Sequence, residues 1–141
     1  MNFNRIKIKT LIITVVIVSG KMSAQMYQKT DSGLKFFAGN LNVEVKLYSG
    51  NTVRIIKYPA GKAFEKNSLS VIKKEEKTRF SVSESKNIIS LKTNDLHIFI
   101  DAKNGTFTYK SASGKELLRE TGSDFQPFND AGNQTYSVTQ S

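Results

Sequence analysis

The residues of this chain that could break bonds are few, and their spacing keeps them apart. A nucleophilic triad needs a histidine held between a hydroxyl and a carboxylate. The sole histidine is His97, in Leu96-His-Ile-Phe-Ile100, with Leu96 and Ile98 on the strand face opposite to it. It reads as a surface or packed histidine with no identifiable triad partner. Hydrolysis by paired carboxylates needs the two groups within roughly 5–10 Å of each other. Asp95 and Asp101 share a strand face but stand six residues apart, which at ~3.3 Å per residue is ~20 Å. The 141 residues contain no cysteine, so disulfides, a thiol-anchored lipid and cysteine zinc sites are excluded. A multi-histidine metal site is excluded too, and no Asp-x-Asp-x-Asp calcium loop occurs. No metal or cofactor is expected.

One polar–aromatic cluster stands out, between Asp124 and Asn133, with Phe125-Gln-Pro-Phe128 followed by Asn129 and Asp130. Its turn formers predict a loop. Phe125 and Phe128 offer large ring area at low entropic cost, suited to a ligand or a neighbouring domain. Asn129 and Asp130 are the side chains suited to hydrogen-bond a ligand, should the loop reach a pocket. The plainer expectation is that Phe128 plugs the core, Asp130 caps a turn, and the loop covers one end of the fold.

The elements that must position this cluster are short strands. Leu41–Tyr48 alternates, with Leu41, Val43, Val45 and Leu47 on one face, and Ser49-Gly50-Asn51 turns the chain into Thr52–Tyr58. Strands follow at Arg79–Ser83, Ile88–Lys92 and Leu96–Ile100. Lys103-Asn104-Gly105 predicts a type I′ hairpin turn into Thr106–Tyr109. Ser113-Gly114 then turns into Glu116–Arg119. No stretch of ten or more residues after the leader carries a helical period. The fold class is therefore all-β, an antiparallel β-sandwich.

The two ends differ in kind. Arg5, Lys7 and Lys9 precede an apolar run from Leu11 to Val18, and small residues follow at Ser19-Gly20 and Ser23-Ala24. This is the layout of a secretory signal peptide over residues 1–24; the run is too short to span a bilayer, which takes ~20 residues. Cleavage after Ala24 is expected, with Gly20 as the alternative because Met22 fits poorly three places from the end of the site. The product is exported, periplasmic or secreted, with no membrane attachment once the leader is gone. Of 21 basic residues four lie in the leader, so 17 face 12 acidic ones, a net of +5. Mixed runs such as Lys73-Lys74-Glu75-Glu76-Lys77 suit a solvated face, and no nucleic-acid partner is expected. The remaining 117 residues, 25–141, suit a single β-sandwich domain. At the far end Tyr136 and Val138 alternate with Ser137 and Thr139 as a strand, and the chain stops within it. An apolar strand face needs a covering layer, so the domain is expected to be incomplete at this end.

Taken together, Gln28-Lys-Thr-Asp-Ser-Gly33, Val43-Glu-Val45, Thr52-Val-Arg-Ile-Ile-Lys57, Lys66-Asn-Ser-Leu-Ser-Val-Ile72, Phe128-Asn-Asp-Ala-Gly132 and Tyr136-Ser-Val-Thr-Gln140 resemble the opening of bacterial glycoside hydrolase family 31 enzymes. The likeness runs over residues 28–141. It implies a galactose-mutarotase-like β-sandwich ahead of a (β/α)₈ barrel that is the expected downstream partner. It also implies retaining α-glycosidase chemistry, of α-glucosidase or α-xylosidase type, by two aspartates on that barrel. No position here matches either aspartate, so no catalytic residue is expected in this chain. Two readings stand: a non-catalytic N-terminal domain that packs on the barrel and helps complete its sugar pocket, or a free-standing exported sandwich that binds glycan or a protein partner.

Overall fold

The computed structural model describes residues 25–62 and 76–141. The leader at 1–24 and the quoted segment Lys66–Ile72 lie outside them. Eleven strands and no helix are found among the described residues. Strands β1 (Tyr27–Thr30), β2 (Gly33–Ala38), β3 (Leu41–Ser49) and β4 (Thr52–Pro59) form one antiparallel meander. A second meander of five comprises β5 (Ser81–Ser85), β6 (Ile88–Lys92), β7 (Leu96–Asp101), β8 (Thr106–Ser111) and β9 (Glu116–Arg119). The last two strands, β10 (Ser123–Asp130) and β11 (Asn133–Gln140), pair only with each other.

Alternation explains the first two sheets. Leu34, Phe36 and Ala38 of β2 and Val43, Val45 and Leu47 of β3 turn one way. Ile89 and Leu91 of β6, Leu96, Ile98 and Ile100 of β7, and Phe107 of β8 meet them in one buried cluster. Burying a Val, Leu, Ile or Phe side chain contributes roughly 1.5–3 kcal/mol, so this cluster is the main source of stability. Register places like with like: Leu34 opposite Val45, Phe36 opposite Val43, Ile89 opposite Ile100, Leu91 opposite Ile98. A one-residue slip in either sheet would turn its whole set outward. Gly33 opens β2 because β3 passes very close; a Cβ there would lie 1.9 Å from the carbonyl oxygen of Val45. Thr93, the one buried polar residue among those described, donates its hydroxyl to the carbonyl of Gly50 and accepts the amide of Leu96 at 2.9 Å. It thereby pins the β3–β4 turn to the second sheet.

The sandwich and the strands from Leu41 to Arg119 follow the sequence pattern, with four differences. The hairpin β1–β2 was not anticipated, and β5 begins at Ser81, two residues later than its apolar pattern suggests. Asn104-Gly105 does not make a type I′ turn. Four residues separate Asp101 from Thr106, the side chain of Asp101 accepts the amide of Lys103, and only Gly105 needs positive φ. Finally, the stretch from Asp124 is a strand, not a loop: its alternation with β11 outweighs the turn propensity of Asn129 and Asp130, and the turn is confined to Ala131-Gly132.

Candidate functional site

The β10–β11 hairpin carries all four residues singled out as a binding cluster, and the strand geometry divides them. Successive side chains of a strand point to opposite faces. Phe125 and Asn129 therefore share one face with Pro127, and Phe128 and Asp130 share the other. Across the ladder Phe125 faces Val138, Pro127 faces Tyr136 and Asn129 faces Gln134, so one face of the hairpin is apolar toward its base. The other face pairs Asp124 with Thr139, Gln126 with Ser137 and Phe128 with Thr135, a polar surface with a single ring in it. Phe128 is 54% exposed and plugs no core; Tyr136 and Val138 are 38% and 53% exposed. The turn is capped by Asn129, whose Oδ1 accepts the amide of Gly132 at 3.0 Å, not by Asp130. Both central turn residues have positive φ, Ala131 at 47° and Gly132 at 87°, the requirement of a two-residue type I′ turn.

The hairpin is tied to the sandwich at its base by a buried polar hub. Lys57, on the inner face of β4, donates to the Glu120 carboxylate just beyond β9 and to Ser123 Oγ of β10 at 3.1 Å. Its ammonium also lies 5.1 Å from the centre of the Phe107 ring. Gln140 of β11 donates to the same Glu120 oxygen at 3.1 Å. Thr121 and Ser141 add backbone hydrogen bonds beside it. Two side chains, Lys57 from the four-stranded sheet and Gln140 from the hairpin, thus converge on one carboxylate. A charged pair taken out of water is tolerated when such extra hydrogen bonds complete its shell. Burial, helped by the nearby charge of Glu120, pushes the Tyr109 hydroxyl up to about 12. Phe125 lies over this hub with Ile55 and Val138 around a recess of about 220 Å³. Phe128 and Asn129 meet Lys62 and Tyr136 in a second, of about 310 Å³. Phe128 and Asn129 thus border one recess as chain neighbours although their side chains take opposite faces of β10, Phe125 lines the other recess, and Asp130 lies outside both.

A second surface, not read from the sequence, is the outward face of the four-stranded sheet. Phe37, Asn42 and Tyr58 form one cross-strand row, and Lys35 and Glu44 pair in the next. Glu44 Oε1 accepts from Lys35 Nζ at 2.9 Å and from the Tyr58 hydroxyl at 3.0 Å, and Lys46 Nζ stands 4.0 Å from Oε2. Burial alone would raise the Glu44 carboxyl, but the hydrogen bonds from Lys35 and Tyr58 and the charges of both lysines outweigh it and hold it below its ordinary range. A groove of about 320 Å³ runs along this face. The signal was the pair Phe36-Phe37: adjacent residues of a strand face opposite ways, so one ring had to lie outside.

His97 lies on the outer face of the second sheet, with Nε2 2.8 Å from Ser90 Oγ and its ring 4.1 Å from that of Phe99. Burial, with the charges of Lys92 and Lys110, holds its pKa below the ordinary value. Asp95 precedes β7 and Asp101 ends it, at opposite ends of the strand. Among the described residues no group of three or more His, Asp or Glu side chains could hold a metal ion.

Residues 42–140 match the family model of the glycosyl hydrolase 31 N-terminal galactose mutarotase-like domain, a span that ends with β11 and so includes the hairpin. The structure is similar to the crystal structure of the GH31 alpha-xylosidase from Xanthomonas citri, at 26% identity and a TM-score of 0.72. The match covers 80% of this chain and 13% of that one. No curated protein matches the chain.

Proposed function

We propose that this chain, which belongs to the glycosyl hydrolase 31 N-terminal galactose mutarotase-like domain family, acts as the non-catalytic front domain of an exported α-glycosidase. The observation that carries this reading is the hairpin. A two-stranded ribbon is marginal on its own, yet here a buried hub fixes its base while the apolar side chains beyond it lie exposed. Exposed apolar surface on an otherwise well-packed domain marks a contact with another layer. The layer we assign is a catalytic (β/α)₈ barrel, which would supply both catalytic aspartates. Export rests on the three-part leader at residues 1–24. The tip residues Asn129 and Asp130 are the groups we assign to the rim of the barrel's sugar pocket, with Phe125 and Phe128 as anchors at the contact.

In this role the chain positions and covers; it moves no proton and breaks no bond. Residues 25–141, purified and assayed with aryl α-xyloside and aryl α-glucoside, are expected to give only the buffer rate. Enzyme-like turnover by this segment alone would refute the assignment. In an assembled enzyme, Asp130→Ala is expected to lower kcat/KM at unchanged Tm. Unchanged kinetics with lowered stability would reduce the tip to scaffolding.

A further inference from the structure

We propose that the outward face of the four-stranded sheet binds a neutral oligosaccharide, laid across β2, β3 and β4 between Phe37 and Tyr58. The first observation is Phe37 itself. It is 71% exposed although β2 is paired on both sides, by β1 and β3. A large ring held in water at the middle of a sheet contributes nothing to the core, which Leu34, Phe36 and Ala38 already fill from the same strand.

The second observation is what surrounds that ring. Asn42 stands opposite Phe37, and Tyr58 opposite Asn42. With strands ~4.8 Å apart, the two aromatic positions are separated by roughly 10 Å with an amide between them. Asn42 Nδ2 donates to the Pro59 carbonyl at 3.3 Å, which fixes the amide and leaves its oxygen as an acceptor. Glu44 is held by Lys35 and Tyr58, so its carboxylate is oriented before any ligand arrives. Aromatic faces stack on the C–H faces of pyranose rings, while fixed amide and carboxylate groups take up vicinal hydroxyls. Groups already in place lose little entropy on binding. The groove of about 320 Å³ supplies the concavity.

The third observation selects the ligand by charge. The charged side chains lining the groove are Lys35 and Glu44, paired at 2.9 Å, so they compensate each other and the groove itself offers little to a polyanion. Phe37 is the one exposed large ring lining it, with Met26, Tyr27 and Tyr58 half-buried beside it, too little for the core of a stable protein interface. A neutral sugar chain, with alternating apolar faces and hydroxyl edges, matches both facts. The inference stands on this face alone; its failure would leave the assignment of the hairpin untouched.

Calorimetric or NMR titration of the chain with maltohexaose and with xylohexaose tests it. Saturable binding to at least one is expected, weakened about ten-fold by Phe37→Ala and several-fold by Glu44→Gln. Leu117→Ala, an exposed apolar position on β9, is the control and is expected to bind as the unaltered chain does. Phe37 and Glu44 lie outside the core cluster, so these variants should fold, and cooperative melting curves confirm it. Absence of saturable binding to both sugars, or full binding by Phe37→Ala, overturns the proposal. So does self-association that Phe37→Ala abolishes in a chain that binds neither sugar, since the face would then serve a second copy.

Discussion

Strands β7 and β11 are written in similar alternating patterns and meet opposite environments. In β7, Leu96, Ile98 and Ile100 are sealed between two sheets. In β11, Tyr136 and Val138 alternate just as regularly, yet every residue of the strand is exposed. Alternation reports that a strand has an apolar face; it does not report what covers that face. In the sandwich the cover is supplied from within the described chain. At the hairpin only the base is covered, by the Lys57–Glu120 hub, and the rest lies exposed.

The contrast is broken most forcefully by truncating one residue in each region. Ile98→Ala is expected to cost about 3–4 kcal/mol, from lost transfer energy plus the cavity left behind. Val138→Ala is expected to cost less than ~0.5 kcal/mol in the chain alone, as exposed positions do. Urea denaturation measures both; comparable losses would mean that the hairpin is part of the core.

The hub comes next. Glu120→Gln leaves the buried Lys57 ammonium without its counter-charge, and the expected cost is about 3 kcal/mol. Replacing both, as Lys57→Met with Glu120→Gln, is expected to cost clearly less than the two single losses added together. A double-mutant cycle by urea denaturation checks it, and additivity would show that the pair is not coupled.

A smaller effect sharpens the view of the hairpin as a separately tuned unit. Ala131 holds φ at 47°, a conformation unfavourable for a residue with a Cβ. Ala131→Gly is expected to stabilise the hairpin by about 1 kcal/mol, seen as slower amide exchange in β10 and β11 with β7 unchanged. The smallest effect concerns pH. The Glu44 carboxyl is held below its ordinary range, so its contribution is present above that range and is lost as pH falls through the lowered value. Thermal melts between neutral and acid pH are expected to fall less steeply for Glu44→Gln, by an amount within the ~0–1 kcal/mol of partly exposed pairs.

Much of the sandwich was legible because its strands carry a strict two-residue period bounded by turn residues, as in Leu41–Tyr48 and Leu96–Ile100. What was not legible has identifiable causes. Asn129 and Asp130 signal turns by composition, but pairing with Gln134 and Asn133 holds β10 extended to Asp130. Asn104-Gly105 carries a hairpin signature that Asp101 overrides by capping a longer turn. The split of Phe125 from Phe128 follows once β10 is known to be a strand, because three residues is an odd number of steps. The hub could not be read, since Lys57 and Glu120 are 63 residues apart and nothing local announces their meeting.

The most direct test compares amide exchange in the chain alone with exchange when it replaces the matched segment of the Xanthomonas citri alpha-xylosidase. In the free chain β10 and β11 are expected to exchange faster than β6 and β7, because little apolar cover lies over them. In the assembled enzyme the amides around Phe125, Tyr136 and Val138 are expected to slow by about ten-fold or more, with those of Ile98 and Ile100 unchanged. Hairpin amides that exchange as fast in the assembled enzyme as in the free chain would contradict the account.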